Sequence, residues 1–369
     1  MPAACGKHPV GRCSSCFAGT WRMRTGVSFA LGGAVLFGAS TPVAKLLVGE
    51  IPPMMLAGLL YAGSGLGLGF WLAVRGVMAP AAERPRFAAG DYKWLAGAVV
   101  AGGVTGPVLL MFGLAQTPAS TASLLLNLEG VFTALLAWFA FRENFDWRVM
   151  LGMLLILAGG GLLSFQPGEV ALSWPALSVA LACLCWAMDN NLTRRIAAGD
   201  AVKVACTKGT VAGVLNISLS LALGARFPEA KLAGAAALLG WLGYGVSLAL
   251  FVVALRHLGT VRTGAYFSTA PFIGAAFSFA LLGEAPDVHF WAAAALMASG
   301  VTLYLVERHE HLHRHESLTH DHVHLHDEHH RHHHDFAWDG TEPHSHEHQH
   351  EPLNHIHPHY PDIHHRHGH

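Results

Sequence analysis

The sequence predicts an all-α integral membrane protein: ten transmembrane helices forming two inverted five-helix repeats, followed by a disordered His-rich tail. Three observations predict it. The 369 residues are 52% hydrophobic and only 13% charged, too apolar for a soluble domain of this length. The segment Gln116–Glu143, QTPASTASLLLNLEGVFTALLAWFAFRE, has a gapless counterpart 141 positions later, His257–Glu284, HLGTVRTGAYFSTAPFIGAAFSFALLGE. Glu143 falls on Glu284, Asp146 on Asp287 and Gly159 on Gly300. Few residues are identical; what recurs is a layout of turn, apolar span ending in Glu, Asp, and a second apolar span. The third observation is the sorting of Lys and Arg between alternate loops, which sets orientation.

Residues 1–26 form a leader with no apolar core ahead of a small-residue cleavage site. Met23 offers an alternative start, which would leave residues 1–22 as an upstream extension. Within it, Cys5-x2-His8 and Cys13-x2-Cys16 have metal-ligand spacing, although a leader without a metal is the simpler reading. Apolar stretches of spanning length then follow near 27–47, 53–74, 94–115, 120–141 and 147–165, the first repeat. The second repeat, residues 173–306, supplies 173–193, 203–224, 232–255, 261–282 and 289–306. Gly63, Gly65, Gly67 and Gly69 mark a close-packed helix face. Pro52, Pro118, Pro167 and Pro286 sit where helices must stop.

With the N-terminus inside, the inner segments carry 19 Lys and Arg and the outer ones only Arg226 and Lys231. Both termini are therefore expected in the cytoplasm of a multi-pass inner-membrane protein. Five spans per repeat is an odd number, so the second copy enters from the opposite side. The six cysteines form no disulfide framework.

The stretches GASTPVAK (Gly38–Lys45), LLLNLEGVFTALLAWFAFRE (Leu124–Glu143) and TAPFIGAAFSFALLGE (Thr269–Glu284), on a five-plus-five plan, resemble EamA-type members of the drug/metabolite transporter superfamily. The resemblance covers residues 27–306 and leaves the tail outside. The first copy departs from the pattern, with Gly130 where Pro271 stands and Arg142 where Gly283 stands. It implies a transporter, in the exporting sense, of a small metabolite or ion. It does not choose among amino acids, nucleosides and drugs.

An ionisable group deep in a span is costly and is a functional candidate by default. Glu129 lies about ten residues into the fourth span, roughly 15 Å of helix, hence near the midplane. It reads as a proton or substrate site, with Asn127 nearby; a carboxyl group tying helices together is the alternative. Asp189, Asn190 and Asn191 end the sixth span at a place corresponding to Ala39–Pro42 of the first, and a helix loosened at both places would offer polar groups to a cavity. Asp189 paired with Arg194 or Arg195 at the membrane surface is an equal reading. Lys208 can snorkel to the inner surface or neutralise Glu129 or Asp189, and Lys45 is expected to snorkel. Glu143 and Glu284 are expected at the membrane surface in helix-end roles. Cys183 and Cys185 read as packing residues.

Of 27 His, 24 lie between His309 and His369, with eleven Asp or Glu interleaved. The segment 307–369 holds too few apolar residues for a core and is expected to be disordered. Its candidate ligands are His309, His311, His313, His315, His320, His322, His324, His326, His329, His330, His332, His333, His334, His344, His346, His348 and His350. Imidazole suits Zn(II), Ni(II) or Co(II), and carboxylates can complete a shell. No cofactor is required by anything in the body.

Two classes of function follow. One is a secondary transporter in the lipid bilayer, acting on a small molecule or ion, with the tail making transition-metal export or metal regulation a variant. The other is a non-transporting membrane protein that senses or stores metal. No nucleophile–base pair or phosphate loop favours an enzyme, and nothing reads nucleic acid. A homodimer is left open.

Overall fold

The computed structural model describes residues 14–78, 90–141, 147–164, 173–194, 196 and 201–305, and in the tail 310–315, 319–324, 344–349 and 353–358. The chain forms two units, Met1–Val306 and Glu307–His369. Among the described residues of the first, all regular structure is helical. Its helices are α1 (Ser14–Val48), α2 (Pro53–Met78), α3 (Asp91–Ala98), α4 (Gly106–Gln116), α5 (Ala119–Leu125), α6 (Leu128–Phe141), α7 (Trp147–Ser164), α8 (Trp174–Arg194), α9 (Ala201–Ala222), α10 (Ala230–Gly240), α11 (Ser247–Phe267), α12 (Ala270–Leu282) and α13 (Val288–Leu305). π-Helical stretches Val99–Thr105 and Trp241–Val246 join α3 to α4 and α10 to α11.

Eight of the resulting helical segments are long and apolar enough to cross a membrane, and Val288–Leu303 is a shorter apolar one. The 21-residue α8 carries Asp189, Asn190 and Asn191 near its end. Together these account for the ten expected spans. Burial is inverted relative to a water-soluble protein. Phe139, Trp174 and Leu223 are 74%, 80% and 76% exposed, whereas Asp189, Asn216, Ser247 and Thr263 are buried. That is the surface a hydrocarbon solvent selects.

The 141-residue repeat is written into the backbone. Adding 141 to the π-helical residues 100–105 gives 241–246, the second π-helical stretch. Adding it to Asn127, in the turn between α5 and α6, gives Ser268, in the turn between α11 and α12. Packing follows the same pseudo-symmetry. Helix α1 lies on α11 and α12 as α8 lies on α4 and α6, while α2 meets α9 and α7 meets α13. The glycine face of α2 works as its spacing predicts: Gly63 abuts the backbone of Ala237 and Gly67 the ring of Trp241, with no room for a Cβ.

Successive spans run antiparallel, so one side of the bundle holds both ends of this unit (the terminal side) and the other is distal. Within α11 the chain turns on the terminal side: Ser247 lies beside Gly33, Leu258 beside Gly26 and Phe267 beside Phe37.

The expected loosening of the first and sixth spans does not occur. Helix α1 runs unbroken through Ala39–Pro42 and α8 through Asp189–Asn191. Proline costs α1 the amide that would pair with Gly38 O, and the helix continues without it; Ser40 Oγ donates to Phe37 O at 2.6 Å. The interruptions fall instead in the fourth and ninth spans, at Leu126–Asn127 and Ser268–Thr269. There Asn127 N–H turns back to Leu124 O and Thr269 N–H to Tyr266 O, three-residue bonds that end one half-helix and begin the next.

In the second unit four short stretches are described. Strands β1 (Glu310–His315) and β4 (Leu353–Pro358) pair antiparallel, as do β2 (Thr319–His324) and β3 (His344–Gln349). A His-x-His alternation has the two-residue period of a strand, and backbone pairing needs no apolar core. The register sets His311 opposite His357, His313 opposite His355, His320 opposite His348, His322 opposite His346 and His324 opposite His344.

Candidate functional site

A cavity of about 640 Å³ lies between the repeats. Its walls come from α1 (Phe37), α2 (Tyr61, Ser64), the α5–α6 turn (Leu126, Asn127), α6 (Glu129, Gly130, Thr133), α8 (Trp186, Asp189, Asn190), α9 (Ala205, Lys208), the second π-helical stretch (Tyr244), α11 (Phe251, Phe267), the α11–α12 turn (Ser268) and α12 (Pro271). Both interrupted spans therefore open onto it. Half-helix ends at the middle of the membrane are tolerated where they line such a cavity.

The polar groups form two linked pairs. Asp189, 6% exposed, accepts from Lys208 Nζ at 2.5 and 2.6 Å through Oδ1 and Oδ2. Thr193 Oγ1 donates to the same Oδ1 at 2.9 Å, and Lys208 reaches Thr193 Oγ1 at 3.4 Å. One turn of α8 holds Asp189 and Thr193 on one face, four residues apart. Asn190 faces the other way: its Nδ2 donates to Glu129 Oε1 at 2.9 Å and to Thr133 Oγ1 at 3.3 Å. Asn191 ties α8 to α6 through Thr133 O at 3.2 Å and bonds Ala187 O at 2.9 Å. Two carboxylates and one ammonium thus share a cavity.

The π-helical stretch of the third span builds its floor. A π turn frees carbonyls from the α-helical ladder, and Gly102 O accepts both Tyr61 OH at 2.8 Å and Trp186 Nε1 at 2.9 Å. Gly102 has to be glycine, because a Cβ there would occupy the place of the Asp189 carboxylate. Gly103 O accepts from buried Asn216 Nδ2 at 3.0 Å. Aromatic rings complete the wall: Phe37 meets Tyr244 edge-on at 5.9 Å and Phe267 at 5.5 Å, and Tyr61 lies 6.0 Å from Tyr244.

Of the sequence candidates, Glu129, Asp189, Asn190, Asn191 and Lys208 come together. The pairing of Lys208 with Asp189 was one of the alternatives; the side chains of Arg194 and Arg195, the other partners considered for Asp189, lie outside the described residues. Asn127 lines the cavity but bonds Leu124 O at 2.9 Å and lies 3.9 Å from Met297 Sδ rather than pairing with Glu129. Lys45 does not snorkel. It donates to Leu114 O, Ala115 O and Thr117 O at 2.5, 3.1 and 3.0 Å, since the ended helix α4 offers unpaired carbonyls nearby. Glu284 reaches across to α5 instead of serving only its own helix end. Cys183 is buried with Sγ 3.5 Å from Leu125 O, a packing role.

Glu143, Cys5, His8, Cys13, His309, His326, His329, His330, His332, His333, His334 and His350 lie outside the described residues. The strand histidines His311, His313, His315, His320, His322, His324, His344, His346 and His348 are placed in backbone register only. Among the residues whose side chains are described, no three His, Cys, Asp or Glu gather as a metal site would require. Sequence reasoning missed Tyr61, Trp186, Thr133, Thr193 and Tyr244. Tyr61, Thr133 and Trp186 sit among apolar neighbours and Tyr244 between glycines, and only the two glycines at 102 and 103 hinted at the bulge.

The EamA-like transporter family model matches residues 24–165 and again 173–306, nearly the whole first unit. The chain belongs to the EamA-like transporter family. It is similar to an uncharacterized transporter of Methanothermobacter thermautotrophicus, 27% identical over 283 residues, covering 72% of this chain and 82% of the relative. A probable terminal-alkyne amino-acid exporter of Streptantibioticus cattleyicolor is 27% identical over 199 residues, 53% of this chain and 67% of that protein. A crystal structure superposes with a TM-score of 0.55 at 20% identity, covering 75% of this chain and 95% of that one, which shows a shared fold. As an EamA-like protein the chain is a multi-pass membrane transporter, and the cavity lies between its two EamA repeats.

Proposed function

We propose that this EamA-like transporter exports a small amphipathic metabolite across the cytoplasmic membrane by alternating access, with Glu129 as the carboxylate that exchanges a proton for substrate. The observation that carries the reading is the cavity itself: an intramembrane carboxylate, an Asp189–Lys208 pair and aromatic walls meet between two repeats. Intramembrane carboxylates usually mark substrate or proton paths, and repeat-built transporters bind near the midplane. A substrate with an ammonium group, a carboxylate and an apolar part fits both the mixed charges and the rings. The amino-acid exporter among the relatives supports that class. Carboxylates already held by Asn190 and Lys208, with no imidazole beside them among the described residues, suit an organic substrate better than a transition metal.

The deciding measurement is flux in vesicles holding matched amounts of each variant, across a panel of amino acids and amines, with and without a pH gradient. Glu129→Gln keeps size and hydrogen-bonding reach but cannot titrate, so it abolishes gradient-driven flux while expression is unchanged. Wild-type flux in Glu129→Gln would make the residue a mere tie between α6 and α8. The 19-to-2 sorting of basic residues supports placing the termini in the cytoplasm, and a reporter fused at His369 that reads as periplasmic would reverse that orientation.

A further inference from the structure

The distal end of the bundle is closed by a contact that the cavity chemistry does not use. We propose that Glu284 is the distal gate, holding the first repeat's fourth span against the second repeat's ninth and letting go when the distal side opens. The proposal rests on the alternating-access reading and adds to it the residue that closes one side.

Gly283 ends α12 with φ of 65°, a left-handed turn that favours glycine, and so swings Glu284 away from its own helix. Its carboxylate then spans the repeats. Oε1 accepts Ala119 N–H at 2.7 Å and Oε2 accepts Ser120 N–H at 2.9 Å. Those amides open the fourth span after Pro118, where a helix has no internal partner for them. On the other flank of the Thr117–Pro118 turn, Lys45 from the first span holds the three carbonyls that end α4. An anion on the amides and a cation on the carbonyls clamp one turn from both sides.

Beneath the clamp the helices close without a gap. Gly38 of α1 abuts the backbone of Ala270 and Gly274, and a Cβ on Gly274 would lie 2.7 Å from Ser123 Oγ. Ser123 is buried, its hydroxyl without a partner. A second cavity, of about 400 Å³, lies on the distal face against Pro118, Ser120 and Glu284 and shares no lining residue with the central one. The central cavity is lined instead from the middle and terminal halves, by Thr133, Asn190, Ala205, Lys208 and Gly264. The layer between the cavities is therefore a closed gate, and Glu284 sits at its distal rim.

Glu284→Gln tests this with little change of shape, because the amide nitrogen would face a backbone N–H, donor against donor. Ser123→Cys and Ala205→Cys are placed singly in a chain whose six native cysteines are alanine. Each is labelled with a water-soluble maleimide in nanodiscs, which expose both faces. Loss of one charge-assisted hydrogen bond shifts the ratio of the two rates by about tenfold: Ser123→Cys reacts faster and Ala205→Cys slower. Glu284→Asp, which keeps both acceptors, moves the ratio less than Gln does. If both rates rise together with a lower Tm, Glu284 is only a structural staple, and if neither changes it is no gate; either result overturns the proposal. The ratio needs no substrate. A shifted ratio with no flux for any compound would overturn the transport reading and leave the gate, whereas Glu129-dependent flux with an unshifted ratio would remove the gate alone.

Discussion

Asp189 and Lys208, nineteen residues apart on α8 and α9, form an ion pair at 2.5 Å whose side chains are only 8% and 16% exposed. Neither belongs to the apolar pattern that makes these helices span. Each is tolerated because the other neutralises it. Breaking such a pair from one side leaves a buried charge, at a cost of about 3–5 kcal/mol, whereas replacing both can be nearly neutral. Asp189→Ala and Lys208→Met should each lower the Tm of purified protein strongly, and the double replacement should recover most of the loss. Additive losses in the double-mutant cycle would show that the two groups are not coupled.

Gly102 should tolerate no side chain. Gly102→Ala places a methyl group where the Asp189 carboxylate lies and crowds the Trp186 and Tyr61 bonds to its carbonyl. Overpacking of this kind costs about 1–3 kcal/mol. Because the displaced atoms belong to the cavity, substrate flux should fall further than the stability loss explains. Wild-type flux with wild-type Tm would mean that the π-helical stretch simply rearranges.

Asp287 supplies a pH dependence outside the membrane. Its Oδ1 accepts Phe290 N–H at 2.8 Å at the start of α13, with His289 Nδ1 3.2 Å from Oδ2, and the bond from Phe290 holds its carboxyl below the usual carboxylate range. A folded pKa below the unfolded value adds stability that is fully present above the ordinary carboxylate pKa, about 3.9, and is lost as pH falls through the folded value. Asp287→Asn keeps the cap but not the charge. The Tm gap between the two proteins should therefore narrow as pH falls from about 5 through the folded value. A gap that instead widens below about pH 5 would contradict the sign.

The tail should bind metal without being needed for the body. Deleting residues 309–369 should leave a folded, membrane-inserted protein and remove most of the Zn(II), Ni(II) or Co(II) retained after dialysis. In the full chain that binding should collapse below about pH 6 as imidazoles protonate. Equal metal content in the two proteins would place the metal elsewhere.

Hydrophobic run length and the 141-residue repeat were enough to place ten helices, five to a repeat, because in hydrocarbon the backbone has no alternative to the helix and solvent preference is read directly from composition. The cost of burying a charge likewise singled out Glu129, Asp189 and Lys208 from one dimension of sequence. Which charge met which was decided by packing. Lys208 reaches Asp189 and Thr193 only because α8 and α9 both pack on the π-helical stretch Val99–Thr105, and Lys45 finds carbonyls because α4 ends beside α1. The breaks fell elsewhere than the prolines of the first span suggest: Pro42 is absorbed within α1, Pro271 opens α12 just after the turn at Ser268–Thr269, and the turn at Leu126–Asn127 has no proline of its own. Glu284 looked like an ordinary helix end in its own repeat. Its partners are the amides of Ala119 and Ser120, more than 160 residues away, and a contact between repeats of a folded bundle has no signature in the local pattern of either one.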